Sequence, residues 1–183
     1  MLAAVRGLGL VLLGVIATGC PARSVPAPPG PGPRTAAPPS LLARLEATPD
    51  TAGTVVGAAA APATLVVVFA SWCTHCHRAL AMLDAVRAAH PDVRVLGLNY
   101  RGHEEYAQRG SPAAVRAYIA ANAPWLRVVP ADEALFSALG RPPTVPTILV
   151  IDRAGQVRAT YDRRERPVPT ADELGALVTR LGG

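Results

Sequence analysis

A buried strand that leads directly into two closely spaced cysteines is the feature that most constrains the fold. Residues 65–69 form an unbroken run of apolar side chains, mostly β-branched or aromatic, which indicates a fully buried strand. Cys73 and Cys76 follow, and apolar residues then recur at three- and four-residue spacing, as in a helix. A strand followed by C-x-x-C at the start of a helix, within a βαβ pattern, predicts an α/β fold and is typical of redox sites.

The spacing of the two cysteines suits thiol–disulfide chemistry. Two intervening residues allow the sulfur atoms to close a short disulfide without distorting the turn. Cys73 falls at the start of the predicted helix, where free backbone N–H groups and the helix dipole stabilise a thiolate. We therefore predict Cys73 as the attacking nucleophile and Cys76, one turn deeper, as its redox partner. His75 lies between them and can donate a hydrogen bond or carry positive charge beside the thiolate.

The same residues fit two other chemistries. Residues 73–77 also read as C-x-x-C-H, the attachment motif of a c-type haem, with His77 as the axial ligand. The second axial ligand would be His103, because Met82 lies too close on the same helix to reach the opposite haem face. A copper or zinc site could use the two cysteines and His77, but a second ligand pair is missing. From the motif alone these alternatives stay open.

The first forty residues have the composition of an export leader and a spacer. Residues 1–19 carry one positive charge and then an apolar run, as in a secretory signal peptide. The end of this segment resembles a bacterial lipobox, in which Cys20 receives diacylglycerol. Residues 20–40 are rich in proline and predict an extended linker. We therefore expect a lipid-anchored protein of the bacterial cell envelope, facing the periplasm or the cell exterior.

Residues 41–183 predict one α/β domain with a mixed sheet, because a βαβ unit is followed by an antiparallel hairpin and a closing helix. Helices are predicted at residues 41–47, 74–89, 112–121, 132–139 and 171–181. Strands are predicted at residues 54–58, 63–70, 93–99, 125–129, 147–151 and 156–161.

The net charge of +5 raises the question of an anionic partner. Residues 163–166 form the only basic cluster in the sequence, and no aromatic residues are interleaved with it. All 18 basic residues are arginines, which favours an effect of genome composition over a binding surface. We therefore expect no nucleic-acid partner.

A proline before the later strand is the second informative feature. Proline cannot lie within a central strand, so Pro146 must lie at its start. The W-C-x-x-C of residues 72–76 and the V-P-T of residues 145–147 together resemble the thioredoxin-like fold. In that family this proline is cis and lies against the cysteines, which exposes the backbone of Val145 for pairing with a bound peptide strand. The resemblance also implies that Trp72 covers the disulfide and forms part of the docking surface.

Within that fold, the chain most resembles the TlpA/ResA group of membrane-anchored or exported thiol–disulfide oxidoreductases. The resemblance covers about residues 41–181. The matching segments are residues 69–76, 99–123, 128–132 and 145–155. It implies disulfide exchange with protein substrates, no organic cofactor or metal, and a membrane electron donor if the protein acts as a reductant. Two positions depart from the group: Val67 replaces an acidic residue that shuttles protons in many members, and His75 replaces the proline of reducing members.

Overall fold

The structure, a computed structural model, describes residues 39–182. The predicted signal peptide at residues 1–19, the predicted lipid-attachment residue Cys20 and nearly all of the predicted linker at residues 20–40 lie outside this range. Among the helices of the described range, none has both the length and the apolar character needed to cross a membrane.

The described residues form helices and strands, which alternate except where one helix follows another and where one strand follows another. The helices are α1 (Leu41–Ala47), α2 (Thr74–Ala89), α3 (Arg101–Glu104), α4 (Pro112–Asn122), α5 (Glu133–Ala138) and α6 (Ala171–Gly182). The strands are β1 (Ala63–Val68), β2 (Arg94–Tyr100), β3 (Arg127–Ala131), β4 (Thr147–Asp152) and β5 (Val157–Tyr161). Side chains cap three of the helix starts: Ser40 caps α1, Ser111 caps α4, and Asp132, predicted as the first residue of its helix, caps α5.

The strands form one mixed sheet in the order β3-β2-β1-β4-β5. β1 pairs in parallel with β2, and β2 pairs in parallel with β3, because helices cross between these strands. β4 runs antiparallel to β1, and β5 runs antiparallel to β4 after a tight turn. β1 is therefore the central strand, and all of its residues are buried. This arrangement confirms the predicted α/β architecture with a mixed sheet.

Alternate residues of β1 face the two sides of the sheet, as the period of a strand requires. Leu65 and Val67 join a core formed with α2 and α6, whereas Val66 and Val68 join a second core under α1 and α5. Burying each such side chain stabilises the fold by roughly 1.5–3 kcal/mol. β1 is thus held rigidly from both faces, and the segment that follows it leaves the sheet from a fixed point.

The strand predicted at residues 54–58 is wrong. This segment makes a single bridge between Pro49 and Val55. The Arg127 side chain takes the place of a neighbouring strand: its guanidinium donates to the carbonyl groups of residues 54, 55 and 56 at 3.0–3.1 Å. It also pairs with the Asp50 carboxylate at 2.8 Å. Because a side chain satisfies these carbonyl groups, the segment stays irregular.

Two further differences lie near the site described below. β3 covers residues 127–131 and so begins two residues later than predicted. Residues 101–104, for which no helix was predicted, form the short helix α3.

Candidate functional site

The two cysteines lie where the chain leaves β1 and enters α2. Cys73 is the N-cap of α2, and its sulfur accepts a hydrogen bond from the Cys76 N–H at 3.3 Å. Cys73 is 6% exposed, whereas Cys76 is fully buried. Both cysteines are free in the structure. Cys73 thus keeps a small exposed fraction, whereas Cys76 has none.

The surroundings of the two sulfurs differ electrostatically. Burial raises the pKa of the Cys76 thiol, and the hydrogen bond and charge of Cys73 raise it further. The Cys73 sulfur, in contrast, accepts the backbone N–H of Cys76 at the start of α2. The pair is therefore asymmetric, with a slightly exposed Cys73 ahead of a fully buried Cys76 whose pKa is raised.

The loop before β4 lies directly against Cys73. The Val145–Pro146 peptide bond is cis, as the resemblance implies. The Val145 carbonyl oxygen lies 3.7 Å from Cys73 Sγ and can accept its S–H. The loop is held in place because the Thr144 carbonyl accepts a hydrogen bond from the Thr147 hydroxyl at 2.8 Å. The fold thus brings together the predicted site residues of two segments that lie 72 positions apart.

Trp72 connects the cysteine-bearing turn to α3. Its indole N–H donates to the carbonyl oxygen of Glu104 at 2.8 Å and, more weakly, to that of His103 at 3.2 Å. The ring packs partly against the core, and the Arg109 guanidinium lies 5.2 Å from its centroid. Trp72 is partly exposed, and its docking role stays a prediction.

Glu104 is a site residue that the sequence alone does not single out. Its carboxylate is buried, with the residue only 1% exposed. It accepts hydrogen bonds from the Ser71 N–H and the Asn99 side-chain amide, each at 2.9 Å, and also from the Ser71 hydroxyl. None of the ion pairs in the described part of the chain includes it. Glu104 therefore holds the turn before Cys73 through hydrogen bonds to its buried charge.

No local signal marks Glu104, because its partner Ser71 lies 33 positions away. The hint in the sequence is its position in the extra segment at residues 99–123, directly before a second acidic residue. Val67, which replaces the acidic residue of many TlpA/ResA-type proteins, is fully buried in the same apolar cluster as the two cysteines. Glu104 is the acidic side chain of this site, and it extends from α3 to the turn before Cys73.

His75 lies on the exposed side of α2, and its Nδ1 lies 2.9 Å from a guanidinium nitrogen of Arg78. The positive charge of Arg163 lowers the pKa of His75, with smaller contributions from burial and from Arg78. A lowered pKa favours the neutral ring, and a neutral ring carries no charge to the thiolate. The modulating role of His75 stays a prediction, and arginines carry the positive charge on this side of the site.

His77 is engaged by the protein on two sides. Its Nε2 lies 2.7 Å from the Ser71 carbonyl oxygen and donates to it, and its ring stacks on Tyr118 at 4.3 Å. The nitrogen that a haem iron would use is thus occupied, and the His103 ring is packed edge-on against two aromatic rings. Within residues 39–182, no three His, Cys, Asp or Glu side chains converge as metal ligands would. These placements give the haem and metal alternatives no support.

No protein-family model and no curated protein matches the sequence. Solved structures do match. A secreted disulfide oxidoreductase of Mycobacterium tuberculosis, homologous to E. coli DsbE, matches at 18% identity and a TM-score of 0.58, over 75% of this chain and 97% of that one. A thioredoxin-like protein from Aeropyrum pernix matches at 16% identity and a TM-score of 0.60, over 73% of this chain and 87% of that one. A thiol:disulfide interchange protein of the thioredoxin family from Chlorobium tepidum matches at 20% identity and a TM-score of 0.59, over 74% of this chain and 91% of that one.

These matches extend over nearly the whole of the other chains. They share the mixed sheet and flanking helices described above, and they establish the fold of this chain as thioredoxin-like. The fold predicted from the two sequence motifs is therefore confirmed.

Proposed function

We propose that the protein is a thiol–disulfide oxidoreductase of the TlpA/ResA type. It exchanges the Cys73–Cys76 dithiol and disulfide with disulfides and thiols of proteins outside the cytoplasm. The observation that carries this proposal is the asymmetric cysteine pair: a slightly exposed Cys73 at the N-cap of α2, with its sulfur 3.7 Å from the Val145 carbonyl oxygen, ahead of a fully buried Cys76. The fold supports it, because the matching M. tuberculosis and C. tepidum proteins are a disulfide oxidoreductase and a thiol:disulfide interchange protein.

In the reducing direction, the Cys73 thiolate attacks one sulfur of a substrate disulfide. A mixed disulfide forms, and the other substrate sulfur leaves as a thiolate. The Cys76 sulfur then attacks Cys73 Sγ and releases the first substrate sulfur. The proton of Cys76 passes to a departing substrate thiolate, in keeping with the raised pKa of Cys76. Two electrons move to the substrate and the protein is left as the disulfide; oxidation of a substrate runs these steps backward.

Substrate binding uses the loop before β4. The Val145 carbonyl can accept a hydrogen bond from an N–H of an extended substrate segment, which then lies across Cys73. Trp72, the residue before Cys73, is partly exposed and adds apolar area to the docking surface. The reaction needs no organic cofactor or metal, because the two sulfurs carry the electrons. We expect no nucleic-acid partner.

We infer that the protein works in the bacterial cell envelope, attached through a lipid on Cys20 and separated from the membrane by the linker at residues 20–40. The composition of residues 1–40 supports this, and the matching M. tuberculosis protein is secreted. If the net reaction is reductive, a membrane electron donor must return the protein to the dithiol form. Metabolic labelling with a lipid precursor tests the anchor: wild type should be labelled, and Cys20→Ala should be unlabelled and leave the membrane fraction.

Partner trapping tests the proposed activity. Cys76→Ser should accumulate mixed disulfides with other proteins, because Cys73 can still attack but the resolving thiol is gone. Cys73→Ser is the matched control and should trap none, because the remaining sulfur is fully buried. Neither variant should catalyse reduction of insulin. Trapping by Cys73→Ser but not by Cys76→Ser would reverse the two roles, and insulin reduction by either variant would contradict the mechanism.

A further inference from the structure

A cleft of about 250 Å³ lies beside the nucleophile and has no part in the mechanism above. Its apolar lining comes from residues 79, 82, 168 and 169, which belong to α2 and to the segment before α6. Its polar lining is His75, Arg78 and Arg163. We call this the arginine cleft. A cleft with an apolar base and two guanidinium groups suits an acidic side chain carried on a peptide.

The loop that carries Arg163 is held in one conformation by its own hydrogen bonds. Arg163 has a left-handed backbone, with φ of +69°, which is unfavourable for a residue other than glycine. The Asp162 carboxylate accepts hydrogen bonds from the backbone N–H groups of residues 164 and 165, each at 2.9 Å. The Asp162 carbonyl also accepts a hydrogen bond from the Thr144 hydroxyl, two residues before Pro146. The loop is thereby tied to the segment that contacts Cys73.

Arg163 reaches the same oxygen as the nucleophile. Its Nη1 lies 3.5 Å from the Val145 carbonyl oxygen, and Cys73 Sγ lies 3.7 Å from that oxygen. The guanidinium and the sulfur therefore lie no further apart than these two distances together. A substrate N–H that pairs with Val145 competes with Arg163 for this oxygen. The exposed guanidinium is then free to pair with a substrate group.

Of the described residues that line the cleft, none carries a carboxylate. The Asp162 carboxylate accepts from the backbone of its own loop, and Asp84 of α2 pairs with Arg87 at 2.7 Å. Glu165 is exposed in the Arg163 loop, but it does not line the cleft. The His75 ring is biased toward neutrality, as described above. Arg78 and Arg163 thus leave the cleft positively charged.

We propose that the arginine cleft selects substrates that carry an aspartate or glutamate next to the reacting cysteine. This inference rests on the proposed function and names its substrate class. As the substrate strand takes the Val145 carbonyl, Arg163 is released and pairs with the substrate carboxylate, and Arg78 supports it from the other side. The positive cleft also draws acidic segments toward Cys73 during association.

Single-turnover exchange with matched peptides tests the proposal. The full chain, fully reduced, is mixed with peptides whose one cysteine is blocked as a pyridyl disulfide; its neighbours are glutamate, glutamine or lysine. No electron donor is needed, because the dithiol supplies both electrons: the peptide thiol and thiopyridone are released, and the protein disulfide forms. At low salt the glutamate peptide should react about five- to tenfold faster than the glutamine peptide, and the lysine peptide should be slowest. Added salt should reduce these differences.

Variants assign the effect to the cleft. Arg163→Gln and Arg78→Gln should each lower the ratio of the glutamate rate to the glutamine rate, and the double variant should bring it close to one. Arg153→Gln makes the same change in net charge at an exposed residue just after Asp152, which pairs with the start of β1 and so lies at the end of the sheet away from Cys73. It should leave the ratio unchanged. Because each ratio is internal to one protein, a general loss of reactivity does not affect it.

The possible results distinguish substrate selection by the arginine cleft from the disulfide exchange itself. Equal rates for the three peptides, or an unchanged ratio in the double variant, would overturn substrate selection by the cleft while leaving disulfide exchange intact. A wild-type protein that reacts with none of the peptides would overturn both the selection and the proposed activity.

Discussion

Replacing Glu104 with alanine should destabilise the protein strongly, because the side chain holds the turn before Cys73 from a buried position. The substitution leaves the Ser71 N–H and the Asn99 amide without their acceptor in a site that is closed to water. Each buried donor left unsatisfied costs about 1–3 kcal/mol. Since the Ser71 hydroxyl can rotate toward another acceptor, we count two donors. The expected loss is about 2–6 kcal/mol in the free energy of unfolding.

Glu104→Gln is the matched control, because glutamine has the same shape without the charge. Its side-chain oxygen can accept from the Ser71 N–H and from Asn99, and its NH₂ can donate to the Ser71 hydroxyl oxygen. Hydrogen bonds to a charged acceptor are about twice as strong as neutral ones, so some stability is lost. The loss should stay below about 2 kcal/mol and below that of Glu104→Ala.

Urea unfolding, followed by tryptophan fluorescence, measures both variants. Trp72 reports on the turn itself, since its indole N–H donates to the Glu104 backbone. In the folded state, the alkylation rate of Cys73 should rise in Glu104→Ala and change less in Glu104→Gln, because only the alanine variant releases the turn. An alanine variant within about 1 kcal/mol of wild type would refute the reasoning. Equal losses in the two variants would show that the charge matters rather than the hydrogen bonds.

Two further predictions concern the same region and the segment near β3. Gly110→Ala should lower the free energy of unfolding in urea by about 1–3 kcal/mol, because the new Cβ would lie 2.7 Å from the backbone carbonyl oxygen of Glu104. A variant as stable as wild type would refute this close packing. Burial alone would raise the pKa of Asp50, but hydrogen bonds from Arg127 and from backbone N–H groups outweigh it and lower the pKa. The resulting stability is present above the ordinary carboxyl pKa and is lost as the pH falls through the lowered value. Asp50→Asn should therefore be less stable than wild type near neutral pH, and the difference in unfolding free energy should shrink under acid conditions; a constant difference would contradict the linkage.

The sequence by itself determined the elements whose signals are local. α2 begins and ends where its apolar spacing and the His90-Pro91 pair predict, at Thr74–Ala89. Ser111 predicts the start of α4 because a cap is also a local signal: its hydroxyl oxygen accepts a hydrogen bond from the backbone N–H three residues later. The unbroken apolar run predicts β1 because a central strand is buried on both faces. The two motifs, at the end of β1 and the start of β4, were enough to predict the thioredoxin-like fold.

Only the tertiary structure decided which distant groups satisfy each other. The Glu104 carboxylate has its partner 33 positions away, and the Val145 carbonyl meets Cys73 from 72 positions away. Arg127 replaces a strand at residues 54–58, although those residues have the pattern of one. Arg163 belongs to a cluster that looks like a solvated charge run in the sequence, yet it reaches the oxygen beside the nucleophile. A buried polar group pairs with whichever partner the packed fold brings within hydrogen-bond distance, and residue spacing along the chain does not predict that partner.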